Sequence, residues 1–219
     1  MKKYFIHLKM IYTKKIAFET AKILLQINAI KFNTKTLFNW SSGIKSPIYC
    51  DNRILLSYPT ERNYIIDKMC ELIRKNYKDN FTIAGVATGG IGIGSMISQK
   101  LNLPFVYVRS KPKEHGRKNQ IEGYLDKKNK VLVVEDLIST GNSSVNVVKC
   151  LQDNKSNVIG IISIFDYQFD ISKKNFDKVD VSSNNLTDLE HLIEYSLKNN
   201  YLNQDDLVKI KNWRKNIIN

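Results

Sequence analysis

The sequence predicts an α/β fold organised around a parallel β-sheet, and three observations carry that prediction. Short, near-continuously apolar runs such as Val131–Val134 and Val158–Phe165 recur along the chain. Strands covered on both faces lose the in–out alternation of half-exposed ones, so such runs suit a parallel sheet. The runs alternate with segments of helical periodicity, the order of consecutive βαβ units. Small, hydroxylated or acidic residues gather just past the runs, at Thr88-Gly89-Gly90 and at Glu135-Asp136, and ligands of such sheets bind beyond the carboxyl ends of the strands.

Taken in order, Lys14–Ala29 places Ile16, Ala17, Ala21, Leu24 and Ile27 at helical spacing and predicts a first helix. Leu37–Arg53, LFNWSSGIKSPIYCDNR, has another texture: aromatics, a Ser-Ser-Gly turn, a proline, then Asp-Asn-Arg. Phe38 and Trp40 read as packing residues there, because large aromatics mostly fill cores. Pro59-Thr60-Glu61 opens a second helix through about Tyr77, with Ile65, Met69, Leu72 and Ile73 on one face. Phe81–Ala87 is a strand ending in Thr88-Gly89-Gly90, followed by a helix over Ile91–Lys100. Phe105–Val108 is a short strand, and Arg109–Tyr124 a long charged loop containing Pro112, Gly116 and Gly123. Lys130–Val134 is the next strand, with Glu135 and Asp136 at its end. A hydroxyl-rich loop, a helix over Ser143–Asn154 and a strand over Val158–Phe165 follow. The remainder reads as a short strand near Val179 and helices around Leu189–Leu197 and Leu207–Trp213.

Composition narrows the function classes. The chain has 219 residues, 42% of them hydrophobic, enough for one domain with a sizeable core. Its apolar runs fall short of the ~18 residues of a membrane helix. The basic start MKKYFIHLKMIY is interrupted by His7 and Lys9 and lacks a small-residue cleavage site, so it reads as an extension over residues 1–12 and not as a secretion signal. Three widely spaced cysteines, Cys50, Cys70 and Cys150, form neither a metal motif nor a disulfide framework, which fits the cytoplasm. The net charge of +13 raises the question of nucleic acid. Its lysines are scattered among abundant Asn and Ile, so coding bias accounts for the excess better than a binding face, and no nucleic-acid partner is expected. The local exception is Arg109–Lys118.

The stretch VLVVEDLISTGNSS carries the chemistry. Backbone N–H groups and hydroxyls of Ser139, Thr140, Gly141, Asn142 and Ser143 can wrap a phosphate at a helix N-terminus. Carboxylates beside that cradle would repel the phosphate unless they face sugar hydroxyls or a Mg²⁺ that also bridges phosphates. A ribose 5-phosphate with a metal-bound pyrophosphate meets both conditions. The P-loop motif is absent, and Gly90-Ile91-Gly92-Ile93-Gly94 has the wrong spacing for a dinucleotide fingerprint.

These residues resemble the phosphoribosyl diphosphate (PRPP) signature of type I phosphoribosyltransferases: four apolar residues, two acids, two apolar residues, then a Ser/Thr/Gly loop. LFNWSSGIKSPIYCDNR resembles the substrate segment of the orotate phosphoribosyltransferases, and YVRSKPKEHGRKNQIEG resembles their mobile catalytic loop. The resemblance runs from about Ile16 to Phe165. It implies the type I phosphoribosyltransferase fold: a central parallel sheet flanked by helices with a small hood. The division would be a hood over about 13–58, a core over 59–180 and C-terminal helices over 181–219, forming one domain. The implied reaction joins orotate to PRPP, giving orotidine 5′-monophosphate and pyrophosphate in pyrimidine biosynthesis.

The resemblance also assigns residues. Arg109, Lys113 and His115 would bind pyrophosphate, Lys113 as the main transition-state cation, with the loop serving a neighbouring subunit of a homodimer. Glu135 and Asp136 would take the ribose hydroxyls. Leu137, Ile138 and Ser139–Ser143 complete the PRPP segment, and Ser139 also reaches orotate. Thr88, Gly89 and Gly90 correspond to the pyrophosphate loop, and Lys45 and Tyr49 cover orotate. Mg²⁺ would come with PRPP, with no direct protein ligand assigned. Two positions depart from the pattern: some members have Lys where this chain has Gly89, and some have an Arg after the fourth strand where this chain has Asp166-Tyr167-Gln168. A purine or uracil phosphoribosyltransferase, or a PRPP-sensing transcriptional regulator, shares the PRPP segment and stays open at this point.

Overall fold

The computed structural model describes residues 13–40, 42–78, 80–110 and 120–217. A first helix, α1 (Lys14–Gln26), leads into four short strands, β1 (Ile30–Phe32), β2 (Phe38–Asn39), β3 (Lys45–Ser46) and β4 (Ile48–Cys50). They pair as two small antiparallel sheets, β1 with β4 and β2 with β3. A 3-10 helix over Asn52–Ser57 connects them to α2 (Pro59–Asn76). Pro59 starts α2, where a missing N–H costs nothing, and Arg74 and Lys75 complement the dipole at its end.

The main sheet follows: β5 (Thr82–Val86), α3 (Gly89–Leu101), β6 (Phe105–Val108), β7 (Ile121–Glu122), β8 (Lys130–Ile138), α4 (Asn142–Asp153), β9 (Asn157–Asp166), α5 (Asp170–Asp177) and β10 (Ser183–Asp188). Helices α6 (Leu189–Lys198) and α7 (Gln204–Asn216) close the chain. The six strands lie in the order β10-β9-β8-β5-β6-β7, parallel except for β7, which pairs antiparallel with β6.

Both faces are covered, which is why β5, β8 and β9 bury apolar residues on both of their sides. Ile83, Leu132, Val134, Ile162 and Ile164 share a core with residues of α1, α2 and α3. On the other face, Val131, Val133 and Ile161 pack with Val145, Val148 and Leu151 of α4 and Phe176 of α5. Each fully buried Leu, Ile or Val contributes roughly 1.5–3 kcal/mol. Helix α1 lies on α6 and β10, with Lys14 Nζ 2.7 Å from Glu194 Oε1.

Three sequence expectations need correction. The strand expected to stop at Val134 runs to Ile138, because β9 keeps pairing with it through Ile138 opposite Asp166. Its pairing with β5 does end at Gly85 opposite Val134, so the strand is paired on both sides up to the acids and on one side beyond them. The last strand is Ser183–Asp188 and not near Val179, which packs as a buried residue after α5. Its residues SNNLTD are mostly polar, which hid it from an apolar search. Helix α5 was not expected at all: in DISKKNFD only Ser172 and Phe176 are buried, too few for a periodic signal.

Candidate active site

The site grows from the point where β8 loses its β5 neighbour. Glu135 and Asp136 occupy that point, and the turn Ala87–Gly90 fills the space beside them. This approach requires glycine twice. A Cβ on Gly90 would strike the Val134 carbonyl, and one on Gly89 would land on the Asp136 carboxylate. A side chain at Gly89, lysine included, would require the Asp136 carboxylate to shift from its present position.

The two acids differ. Glu135 is buried at 5% exposure, and its carboxylate accepts a hydrogen bond from Ser144 Oγ at 3.3 Å. Burial, and then the Asp136 charge, push its carboxyl well above the usual range. Asp136 is only partly buried. Desolvation raises its pKa as well, opposed by contact with the Glu135 carboxyl and by the charge of Arg53. Burial thus disfavours the charged form of the inner acid more strongly than that of the outer one.

Asn52, missed by sequence reasoning, holds this arrangement from the far side. It is fully buried, and its Nδ2 donates to the Asp136 carbonyl at 2.7 Å. The Cys50 thiol in turn donates to Asn52 Oδ1 at 3.3 Å. Beside it, Asp51 grips Arg53 through two bonds of 2.6 and 2.8 Å, and Arg53 lowers the Asp51 pKa. The Asp-Asn-Arg triplet was visible in the sequence, but nothing in its spacing tied it to a residue 84 positions away.

The Ser139–Ser143 loop enters α4 through Gly141, whose φ of 75° suits glycine. The N-cap of α4 is Gly141, which offers no capping side chain, so its first turn is a place for an anion's oxygens. Helix α5 braces the loop: Asn175 Nδ2 donates to the Thr140 carbonyl and to Asn142 Oδ1, both at 3.0 Å. A Cβ on Gly141 would sit 3.0 Å from Phe176 Cζ. Leu137 packs partly against the core and Ile138 is buried, its carbonyl accepting from Tyr167 N–H at 2.9 Å. Both thus hold the segment in place through the fold.

Arg109 stands at the end of β6, where the long loop leaves the sheet. Its N–H donates to the Gln120 carbonyl at 2.9 Å, its carbonyl accepts from Gln120 Nε2 at 3.3 Å, and its guanidinium lies 3.7 Å from Glu122. These contacts close the neck of the loop. Lys113 and His115 lie outside the described residues.

In the segment expected to cover the base, Tyr49 is exposed between buried Ile48 and Cys50, its ring 5.6 Å from that of Phe38. Lys45 is exposed on β3. Trp40 packs as expected, 4.8 Å from the Tyr167 ring, with Nε1 donating to the Ile48 carbonyl at 3.0 Å. Asp166-Tyr167-Gln168 is a structural knot. Gln168 takes a φ of 53°, its N–H donates to Asp166 Oδ1 at 2.6 Å, and its amide reaches Asp188. Tyr167 is buried and stacks on Phe169 at 5.3 Å.

Among the described residues no three His, Cys, Asp or Glu side chains gather into a group able to hold a metal ion. Mg²⁺ usually binds through one or two carboxylates together with substrate phosphates. No helix among the described residues is long and apolar enough to cross a membrane.

The comparisons with known proteins agree with this geometry. The family model described as phosphoribosyl transferase domain matches residues 60–199. An orotate phosphoribosyltransferase of Cytophaga hutchinsonii is 46% identical over 205 residues, covering 94% of this chain and 96% of the relative. One from Listeria innocua is 45% identical over 198 residues, covering 90% and 95%. Among solved structures, the orotate phosphoribosyltransferase of Aeropyrum pernix superposes with a TM-score of 0.72 at 27% identity, covering 84% of this chain and 99% of that one. The UMP synthase of Leishmania donovani gives a TM-score of 0.77 at 26% identity over 93% of this chain, which matches 43% of that larger protein. With these relatives spanning nearly its whole length and the family model matching most of it, the chain belongs to the orotate phosphoribosyltransferases of the phosphoribosyl transferase domain family.

Proposed function

We propose that this protein transfers the 5-phosphoribosyl group from PRPP to orotate, giving orotidine 5′-monophosphate and pyrophosphate for UMP synthesis. One observation carries the reading: Glu135 and Asp136 sit beside the glycine turn and immediately before an uncapped helix entry. Ser139–Ser143 receive the 5-phosphate, the acids take ribose hydroxyls, and the Thr88–Gly90 turn approaches the pyrophosphate through its backbone. Arg109, Lys113 and His115 neutralise the departing pyrophosphate, whose charge grows as the ribosyl centre becomes cationic. Lys45 and Tyr49 cover the base, and Ser139 reaches it from the phosphate side.

Mg²⁺ is the cofactor in this reading, held by PRPP oxygens and water with no protein side chain assigned as a direct ligand. When bound it neutralises charge on the leaving group. The enzyme works in the cytoplasm as a homodimer, with the Arg109–Gly123 loop serving the partner's site. A purine or uracil enzyme, or a PRPP-sensing regulator, is disfavoured because the relatives above are orotate phosphoribosyltransferases over nearly their full lengths.

The direct test mixes the protein with PRPP, Mg²⁺ and a panel of orotate, uracil, hypoxanthine and adenine, and follows pyrophosphate release. Orotate should give the highest kcat/KM. A higher value for another base would overturn the assignment, and no turnover of any base would favour the regulator.

A further inference from the structure

We propose that the C-terminal helix α7 is a clamp that sets the position of the base-covering segment, with Trp213 and Arg214 as its positioning residues. The inference rests on the orotate reading for its kinetic consequence, but its structural basis is independent. Three hydrogen bonds tie α7 to the connection between β1 and β2, to β3 and to the turn after β9. At its N-terminal end, Thr34 Oγ1 donates to Asp206 Oδ1 at 2.6 Å. At its C-terminal end, Trp213 Nε1 donates to the Lys45 carbonyl at 2.8 Å. The adjacent residue, Arg214, donates from Nη2 to the Gln168 carbonyl at 3.0 Å.

Consecutive residues of one helix thus hold two segments that are far apart in the chain: the strand bearing Lys45, and the turn after β9 that carries Gln168. Aromatic packing fills the joint. The Trp213 ring meets Trp40 at 6.0 Å, Phe169 at 5.7 Å and Tyr167 at 6.2 Å, all edge-on. Strands of two or three residues cannot hold themselves in place, so β2 and β3 depend on this outside support. The Asn203–Asp206 capping box fixes the start of the helix that delivers it. The guanidinium of Arg214 bonds to a backbone oxygen here, so the part it plays is to hold the Gln168 turn in register with the Lys45 strand.

The experiment uses the full chain with Trp213→Phe, which keeps an aromatic ring and removes the indole donor, and Thr34→Val at the opposite end of the helix. KM for orotate should rise about fivefold in Trp213→Phe, the worth of one hydrogen bond, while KM for PRPP stays within twofold. Thr34→Val should shift the orotate KM in the same direction. Hydrogen–deuterium exchange should quicken over residues 37–53 and leave β8 and α4 unchanged. Unchanged constants, or equal rises for both substrates, would overturn the clamp, since general loosening gives no such split. Should the wild-type protein turn over no orotate, the function assignment fails and exchange alone decides the clamp: quickening confined to 37–53 upholds it, and none removes it.

Discussion

The two sides of the proposed site, one for the phosphate and one for the base, are built in opposite ways. The phosphate side is one run of chain, Glu135 to Ser144, laid along the end of β8 and into α4. The base side is assembled from Lys45 and Tyr49 on two-stranded sheets, Gln168 after β9 and Trp213 on the last helix. A contiguous site is set by local geometry and by the strand that carries it. An assembled site depends on long-range docking, so its energetics are those of packing and of buried hydrogen bonds. The phosphate side should therefore respond to single substitutions through charge, and the base side through position.

The largest expected effect lies on the proposed catalytic loop, Arg109–Gly123. Lys113→Ala should lower kcat by about 10²–10³, the cost of losing one preorganised group that stabilises developing charge, with PRPP affinity much less affected. Mixing Lys113→Ala with Asp136→Ala subunits tests whether the loop crosses. A crossing loop gives each heterodimer one intact site and restores activity. Re-equilibrated mixtures no more active than the parents, with exchange confirmed by mass, would place the loop over its own subunit.

Next in size, Asp136→Asn should weaken PRPP binding by about 1.5–3 kcal/mol, the worth of a hydrogen bond to a charged group. Calorimetry showing unchanged affinity in a folded variant would remove Asp136 from the site.

Asn52→Ala tests the seam between the two sides. It leaves the Asp136 carbonyl without its 2.7 Å partner and should cost about 1–3 kcal/mol of stability. If the seam also positions Asp136, PRPP affinity should fall with it, and urea unfolding beside calorimetry separates the two losses.

The smallest effect concerns pH. Burial raises the folded-state pKa of Glu135 above its unfolded value. The associated stability is fully present below an unfolded pKa of about 4.3 and is lost as pH rises through the folded value. Glu135→Gln keeps a neutral acceptor and avoids that loss. Its Tm should match the wild type near pH 4.5 and exceed it by about 2–4 °C at pH 8, the shift that ~1 kcal/mol produces in a chain of this size. A Tm difference that is flat with pH would mean Glu135 is ionised in the folded protein.

Residues 131–144 determined much about this protein on their own. Apolar residues in a row imply a strand covered on both sides; acids and a glycine–hydroxyl loop directly after it imply a ligand at the strand's end, and both inferences need only neighbouring residues. The alternation of strands and helices was legible for the same reason, since periodicity is a local property. Tertiary structure alone decided what stands against that segment. Asn52 reaches Asp136 across 84 residues, Asn175 reaches Thr140 across 35, and Trp213 reaches Lys45 across 168. Helix α5 escaped notice and strand β10 was misplaced because each buries few apolar side chains. The reason is physical: a hydrogen bond between distant positions leaves no periodic trace in the chain, and only the docking of the whole fold brings its two ends within 3 Å of each other.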